Sequence, residues 1–315
     1  MGADPSRAHP LAAVALTIAM CAMFALMDSL VRWLGALLPV LALLTWRYGT
    51  QAVVMGLWLA RGGRRRFAST RPGFQALRGV LLLATSTLSF FALQHMPVAE
   101  FTAVMLLGPV FVTLLSAVML QEPAGPLRWA LLVLSLLGAL VVIRPGSGLF
   151  GFVALLPLAG ALSYAFFQVL TRRFALSEDP LATHFWTGAV GTAVLLPVLL
   201  ASGSAGIGPW LALTGVQWLA VFAVGLLGTC GHLLLVLAAR LAPPSTLMPF
   251  IYLQLGFASL FGWLIFARLP DFWGWVGMAV IAASGAASAW LNLRRAALPA
   301  PSAAPAAVPA PRAQP

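Results

Sequence analysis

The stretch from Leu93 to Pro123, LQHMPVAEFTAVMLLGPVFVTLLSAVMLQEP, decides how the rest of the chain is read. Gln94, His95 and Pro97 open it with a polar break, and Gln121, Glu122 and Pro123 close it. The run between, Val98 to Leu120, is long enough to cross a hydrocarbon core of about 30 Å as a helix rising about 1.5 Å per residue. Gly108 and Pro109 stand near its middle. A proline inside a helix removes one backbone hydrogen bond and clashes with the preceding turn. In lipid the freed carbonyl has no water to turn to, so neighbouring helices or a protein-lined space must cover it. The stretch predicts a spanning helix bent at Gly108 and Pro109, either as a packing kink or beside a cavity.

A related stretch runs from Ala238 to Pro270, AARLAPPSTLMPFIYLQLGFASLFGWLIFARLP, with Pro249 as its own candidate bend. Pro97 and Pro243 stand 146 residues apart, and so do Trp129 and Trp275. Leu11 to Leu34 and Gly151 to Phe174 match less closely. The chain therefore reads as two copies of one unit, joined near Gly146 to Gly151, and a repeat fixes the architecture before anything else does.

Composition bounds the class. Of 315 residues, 61% are hydrophobic and only 8% charged, where a soluble domain carries about 25% charged residues. This is an integral membrane protein. All eighteen basic residues are Arg. A net charge of +11 in a soluble chain would point to nucleic acid; here the arginines sit at loop ends and orient the helices, so no nucleic-acid partner is expected. Cys21 and Cys230 lie in apolar runs and are too few for a disulfide framework or a zinc site, so no metal and no cofactor is expected. The first apolar run contains Asp28 and precedes many more, so it reads as a retained helix rather than a signal peptide.

Apolar runs fall at roughly 11–34, 40–60, 77–94, 98–120, 127–143, 150–171, 181–201, 216–239, 244–266 and 272–291, each near spanning length. The fold class is all-α integral membrane, with about ten transmembrane helices in two inverted five-helix repeats. Residues 1–10 are a short lead. Residues 296–315 are a Pro/Ala-rich tail with nothing to bury, expected to be disordered. Placing the N-terminus in the cytoplasm puts fourteen of the eighteen arginines on inner segments and leaves Arg32, Arg47, Arg144 and Arg268 outside. Both termini are then cytoplasmic. Trp33, Trp129, Trp210, Trp218, Trp273, Trp275 and Trp290 near helix ends fit an interfacial belt.

An ionisable residue inside a span is costly and marks a candidate site. Asp28 lies about 9 Å deep in the first helix, at about 1.5 Å per residue. Arg32 follows one turn on, and Arg47 reaches a similar depth in the second helix. Asp28 with Arg47 reads either as a structural charge pair or as a substrate or gating site. Glu100 reads as a solvated helix-end residue, and His232 as a lone histidine satisfied within its helix. Gln51, Ser86, Ser89, Tyr164, Tyr252 and Gln254 are the midplane polar candidates for binding a small-molecule substrate. Gln254 is preferred because it both donates and accepts. Tyr252 stands about 200° from it on a helix, so one of the two lines a cavity and the other braces a neighbour. The last helix, WGWVGMAVIAASGAASAW, carries small residues at helical spacing, which suits close packing or a homodimer.

The chain resembles the EamA-type transporters of the drug/metabolite transporter superfamily. The resemblance rests on MFALMDSLVRWL, TWRYG, FFALQHMPVAEFTAVMLLGPVFVTLL, LQEP, TRRFALSEDPLATHF and MPFIYLQLGFASLFGWLIF, in that order over roughly 11–291. It implies EamA-like repeats over 11–145 and 150–291 and an inner-membrane carrier of small metabolites without ATP hydrolysis. Such carriers often have an acid where each half ends its fourth helix; Glu122 keeps it, and Arg268 replaces it. A secondary transporter working by alternating access is the first reading, with proton or exchange coupling open. A polytopic enzyme would need paired catalytic groups inside the spans, which the scattered acids and histidines do not supply. A non-transporting scaffold is the third reading. The neutral, aromatic-rimmed cavity suits amphipathic metabolites such as amino acids, nucleosides or vitamins.

Overall fold

A computed structural model describes residues 10–63, 67–119, 126–144, 151–174, 178–203, 206, 208–242, 247 and 250–296. The lead, the tail from 297, and Glu122, Pro243 and Pro249 lie outside the described residues. The described chain is helical, and each helix begins or ends where its sequence provides a stop. α1 (Pro10–Leu34) and α2 (Val40–Ala60) flank Pro39, which caps α2. α3 (Pro72–His95) starts on a proline, where the missing N–H is no loss. α4 (Val98–Met105) and α5 (Gly108–Met119) share the fourth apolar run, and α6 (Pro126–Ile143) completes the first half.

The second half holds α7 (Leu155–Phe174), α8 (Pro180–Ala201), α9 (Gly215–Leu241), α10 (Leu253–Phe266) and α11 (Phe272–Ala296). Asp179 caps α8 by accepting from the Leu181 N–H. Thr214 and Gln217 form a capping box on α9. α10 ends at Ala267 in the left-handed region, φ 52°.

Among the described residues six stretches are long and apolar enough to cross a membrane, and three shorter apolar helices accompany them. With α4 and α5 counted as one interrupted span, the described helices form ten spans, five in each half. Five is odd, so the second half runs upside down relative to the first. The packing follows the same dyad. α1 packs on α9, and its mate α7 packs on α3. α2 packs on its own mate α8, α6 on α11, and α4 on α10.

Lipid supplies no hydrophobic drive between helices, so close approach through small residues does the work. A Cβ on Gly277 would stand 2.6 Å from the Gly138 carbonyl oxygen. Farther along this seam Ser135 and Ser284 share a hydrogen bond of 2.7 Å. Gly188 lets α8 approach the α2 backbone, where a Cβ would meet the Ala52 nitrogen at 2.7 Å. The small residues of α11 are thus used inside the chain: Gly277 and Ser284 against α6, and Gly285 against Tyr252. This is the close packing that small residues at helical spacing suit.

Candidate functional site

The fourth span is interrupted just before Gly108 and Pro109. Helix ends at Met105, Leu106 turns at φ −71° and ψ 1°, and Gly108 and Pro109 open α5. Proline is tolerated in a first turn and not in an interior, so the pair starts a new helix instead of kinking an old one. The ninth span is interrupted at Tyr252, and α10 starts at Leu253. Leu106 and Tyr252 stand 146 residues apart, the spacing of the repeat. Each half therefore carries one break, at the same place.

Several candidates gather at these breaks. Gly108 faces the Tyr164 ring, whose Cδ1 lies 3.4 Å from where a Cβ would be. Gln168 Nε2 donates to the Tyr164 hydroxyl at 3.1 Å. The Ser89 hydroxyl points to the sulfur of Met105 at 3.8 Å. At the second break the Cys21 thiol lies 3.7 and 3.6 Å from the carbonyls of Phe250 and Ile251. Gln254 is half-buried, and among the described residues its side chain has no hydrogen-bond partner. Tyr252 turns away, into a cluster with Ala99, Ala103, Met278 and Ile281, with its ring against Gly285.

Gln51, Ser86 and Arg47 belong to a different polar group. Arg47 Nη1 donates to the Ser86 hydroxyl at 3.2 Å, and the Tyr48 and Ser86 hydroxyls share a bond of 2.9 Å. The Arg47 guanidinium lies 4.8 Å over the Tyr48 ring. Gln51 Nε2 donates to His184 Nδ1 at 3.1 Å and to its carbonyl at 2.9 Å. That leaves His184 Nε2 to donate to the Thr229 carbonyl, at 3.2 Å. His232 Nδ1 donates to the Gly228 carbonyl at 3.0 Å, so it is satisfied within its helix as the sequence suggests, but it is not lone: its ring stacks 6.0 Å from that of His184.

The depth match of Asp28 and Arg47 does not become an ion pair. Asp28 is buried and bonds to neither Arg47 nor Arg32, and Arg32 donates to the Leu93 carbonyl at 3.3 Å. Among the described residues Arg144 and Asp271 form the one ion pair, at 2.7 Å.

The two ends of the bundle add residues that sequence reasoning passed over. Where α3 begins, Glu178 Oε1 accepts from the Ser69 hydroxyl, from the Thr70 N–H and hydroxyl, and from the Arg71 N–H; Oε2 accepts from Gln75 Nε2. Slight burial would raise its carboxyl, but these hydrogen bonds outweigh it and hold the group below the usual range. Arg78, read as a loop-end anchor, is buried. It donates to the hydroxyls of Thr171 and Thr187 and to the Thr183 carbonyl, over the Phe167 ring. At the opposite end a cavity of about 360 Å³ is lined by Arg32, His95, Glu100, Arg144, Arg268 and Asp271. Glu100 is 8% exposed, so it is not the solvated end residue expected. The Gly274 N–H and the Arg144 guanidinium hold Asp271 below the usual carboxylate range.

Two inverted five-span halves, each with a broken helix at the corresponding place, define a membrane carrier of the inverted-repeat type. The chain belongs to the EamA-like transporter family, which matches residues 11–144 and again 151–288. A riboflavin transporter of Brucella anthropi is 27% identical over 84% of this chain and 93% of its own length. An S-adenosylmethionine uptake transporter of Rickettsia felis is 25% identical, over 78% and 81%. A pseudopaline exporter of Pseudomonas aeruginosa is 26% identical, over 79% and 85%. One solved crystal structure superposes with a TM-score of 0.62 at 22% identity, covering 94% of this chain and all of the other, and so shares the fold.

Proposed function

We propose that the protein moves a small, ring-bearing amphipathic metabolite across the inner membrane by alternating access, with both termini in the cytoplasm. The observation that carries this reading is the pair of breaks at Leu106 and Tyr252, with Gln254 unbonded at the start of α10. Broken helices at corresponding places in inverted halves are where such carriers place their substrate. Gln254 offers an amide that donates and accepts to a heterocycle edge; Tyr164 offers a ring, and Ser89 a hydroxyl. Tyr252 braces α10 against α11. Two of the relatives are named for riboflavin and S-adenosylmethionine, and both of those solutes carry a heterocycle.

The test is uptake of radiolabelled riboflavin and S-adenosylmethionine into liposomes holding the purified protein. Gln254→Leu is expected to keep expression and folding and to weaken binding of the transported solute about tenfold, the worth of one polar contact. Unchanged binding in a well-folded Gln254→Leu protein would remove the residue from the site.

A further inference from the structure

The cavity at the end where α1 stops draws on both halves: the ends of α1, α4 and α6 on one side, and the α10–α11 connection on the other. Its volume of about 360 Å³ falls in the range of small-molecule sites, about 300–1,000 Å³. A second, more open hollow of about 600 Å³ adjoins it and shares Arg32, Phe266 and Arg268. The two arginines therefore stand between the hollows and face both.

The charges do not cancel. Arg144 and Asp271 pair with each other at 2.7 Å. Arg32 spends one nitrogen on the Leu93 carbonyl and lies 5.3 Å over the Phe266 ring, which fixes its guanidinium at the cavity wall. Among the described residues the Arg268 guanidinium has no hydrogen-bond partner. Glu100 is more than nine-tenths buried, and its Oε2 has none either. A buried carboxylate oxygen without a donor is costly, and native structures keep few of them without reason.

We infer that this cavity is a second solute site, distinct from the midplane, that receives the head of a zwitterion. The carboxylate sits on Arg32 and Arg268, and the ammonium donates to Glu100. A simple anion would satisfy the arginines and leave Glu100 facing like charge. A simple cation would satisfy Glu100 and face two guanidiniums. A solute bearing both groups satisfies all three, and Phe266 and Leu269 give its side chain an apolar wall. The inference does not depend on where the transported solute sits at the midplane.

The probe is L-methionine, a zwitterion with an apolar tail, titrated calorimetrically into the purified full chain in detergent. Its two halves, 3-(methylthio)propylamine and 4-(methylthio)butanoate, are the controls. Methionine is expected to bind at least about tenfold more tightly than either half, and Glu100→Gln and Arg268→Gln each to weaken it about tenfold, the worth of a charged hydrogen bond. Arg268 is exposed, so its variant folds even where Glu100→Gln does not. Gln254→Leu is expected to leave methionine binding in place. Absence of methionine binding, equal binding of the two halves, or binding untouched by both charge variants overturns the site. Loss of binding in Gln254→Leu alone also overturns it, and leaves the midplane reading standing.

Discussion

Where α3 begins, the buried and half-buried charges are matched: Glu178 accepts five hydrogen bonds, and Arg78 makes three. Where α1 stops, Glu100 keeps a buried oxygen with no partner beside a cavity lined by three arginines. The dyad relates the two halves, yet the two ends differ. The matched end ties α3, α7 and α8 together across the repeat boundary, and the other end leaves charge available.

The comparison breaks most sharply at Arg78. Arg78→Met removes the donor for the Thr171 and Thr187 hydroxyls and the Thr183 carbonyl. It is expected to cost about 2–4 kcal/mol, read as a lower unfolding midpoint in detergent. A loss well under about 1 kcal/mol would mean that this end is not held by its polar network.

Glu178→Gln is expected to cost less, about 1 kcal/mol, because the carboxylate is partly solvated and an amide keeps some of its acceptors. The same group fixes a pH window. Its folded-state carboxyl is held below the ordinary value of 4.5. Its contribution is complete above that value and is lost as pH falls through the folded one. Unfolding midpoints of wild type and Glu178→Gln should therefore converge in acid, below about pH 4.5, and separate near neutrality.

The smallest effect belongs to the cavity end. Asp271→Asn breaks an ion pair whose side chains are 29% and 51% exposed, and is expected to cost about 0–1 kcal/mol. A larger loss would show that the cavity rim is structural, which blunts the contrast with the other end.

Much of the architecture was legible because it rests on run lengths, prolines and an internal spacing. Run lengths mark the ten spans, the spacing of 146 residues marks the duplication, and Gly108 and Pro109 stand just after a helix interruption. What stayed hidden depends on contacts between distant residues. Glu100 is covered by the α10–α11 connection, about 170 positions away in the chain. His184 and His232 meet only because α8 and α9 sit side by side. Arg78 looks like any loop-end arginine until Thr171 and Thr187 surround it. The break at Tyr252 falls three residues after Pro249, the candidate bend of that stretch, yet Tyr252 and Gln254 read as mid-helix residues. Depth alone paired Asp28 with Arg47, and depth says nothing about which way a side chain turns; Ser86 takes the arginine instead.

Cys21 lies at the second break with no exposed surface, its thiol against the carbonyls of Phe250 and Ile251. A thiol-specific alkylating reagent reaches that sulfur only when α1 and the ninth span part. The native Cys21 is thus a chemical clock for that separation. Once the half-buried Cys230 is replaced, the rate at which Cys21 is consumed counts openings, and a solute that holds the helices together slows it.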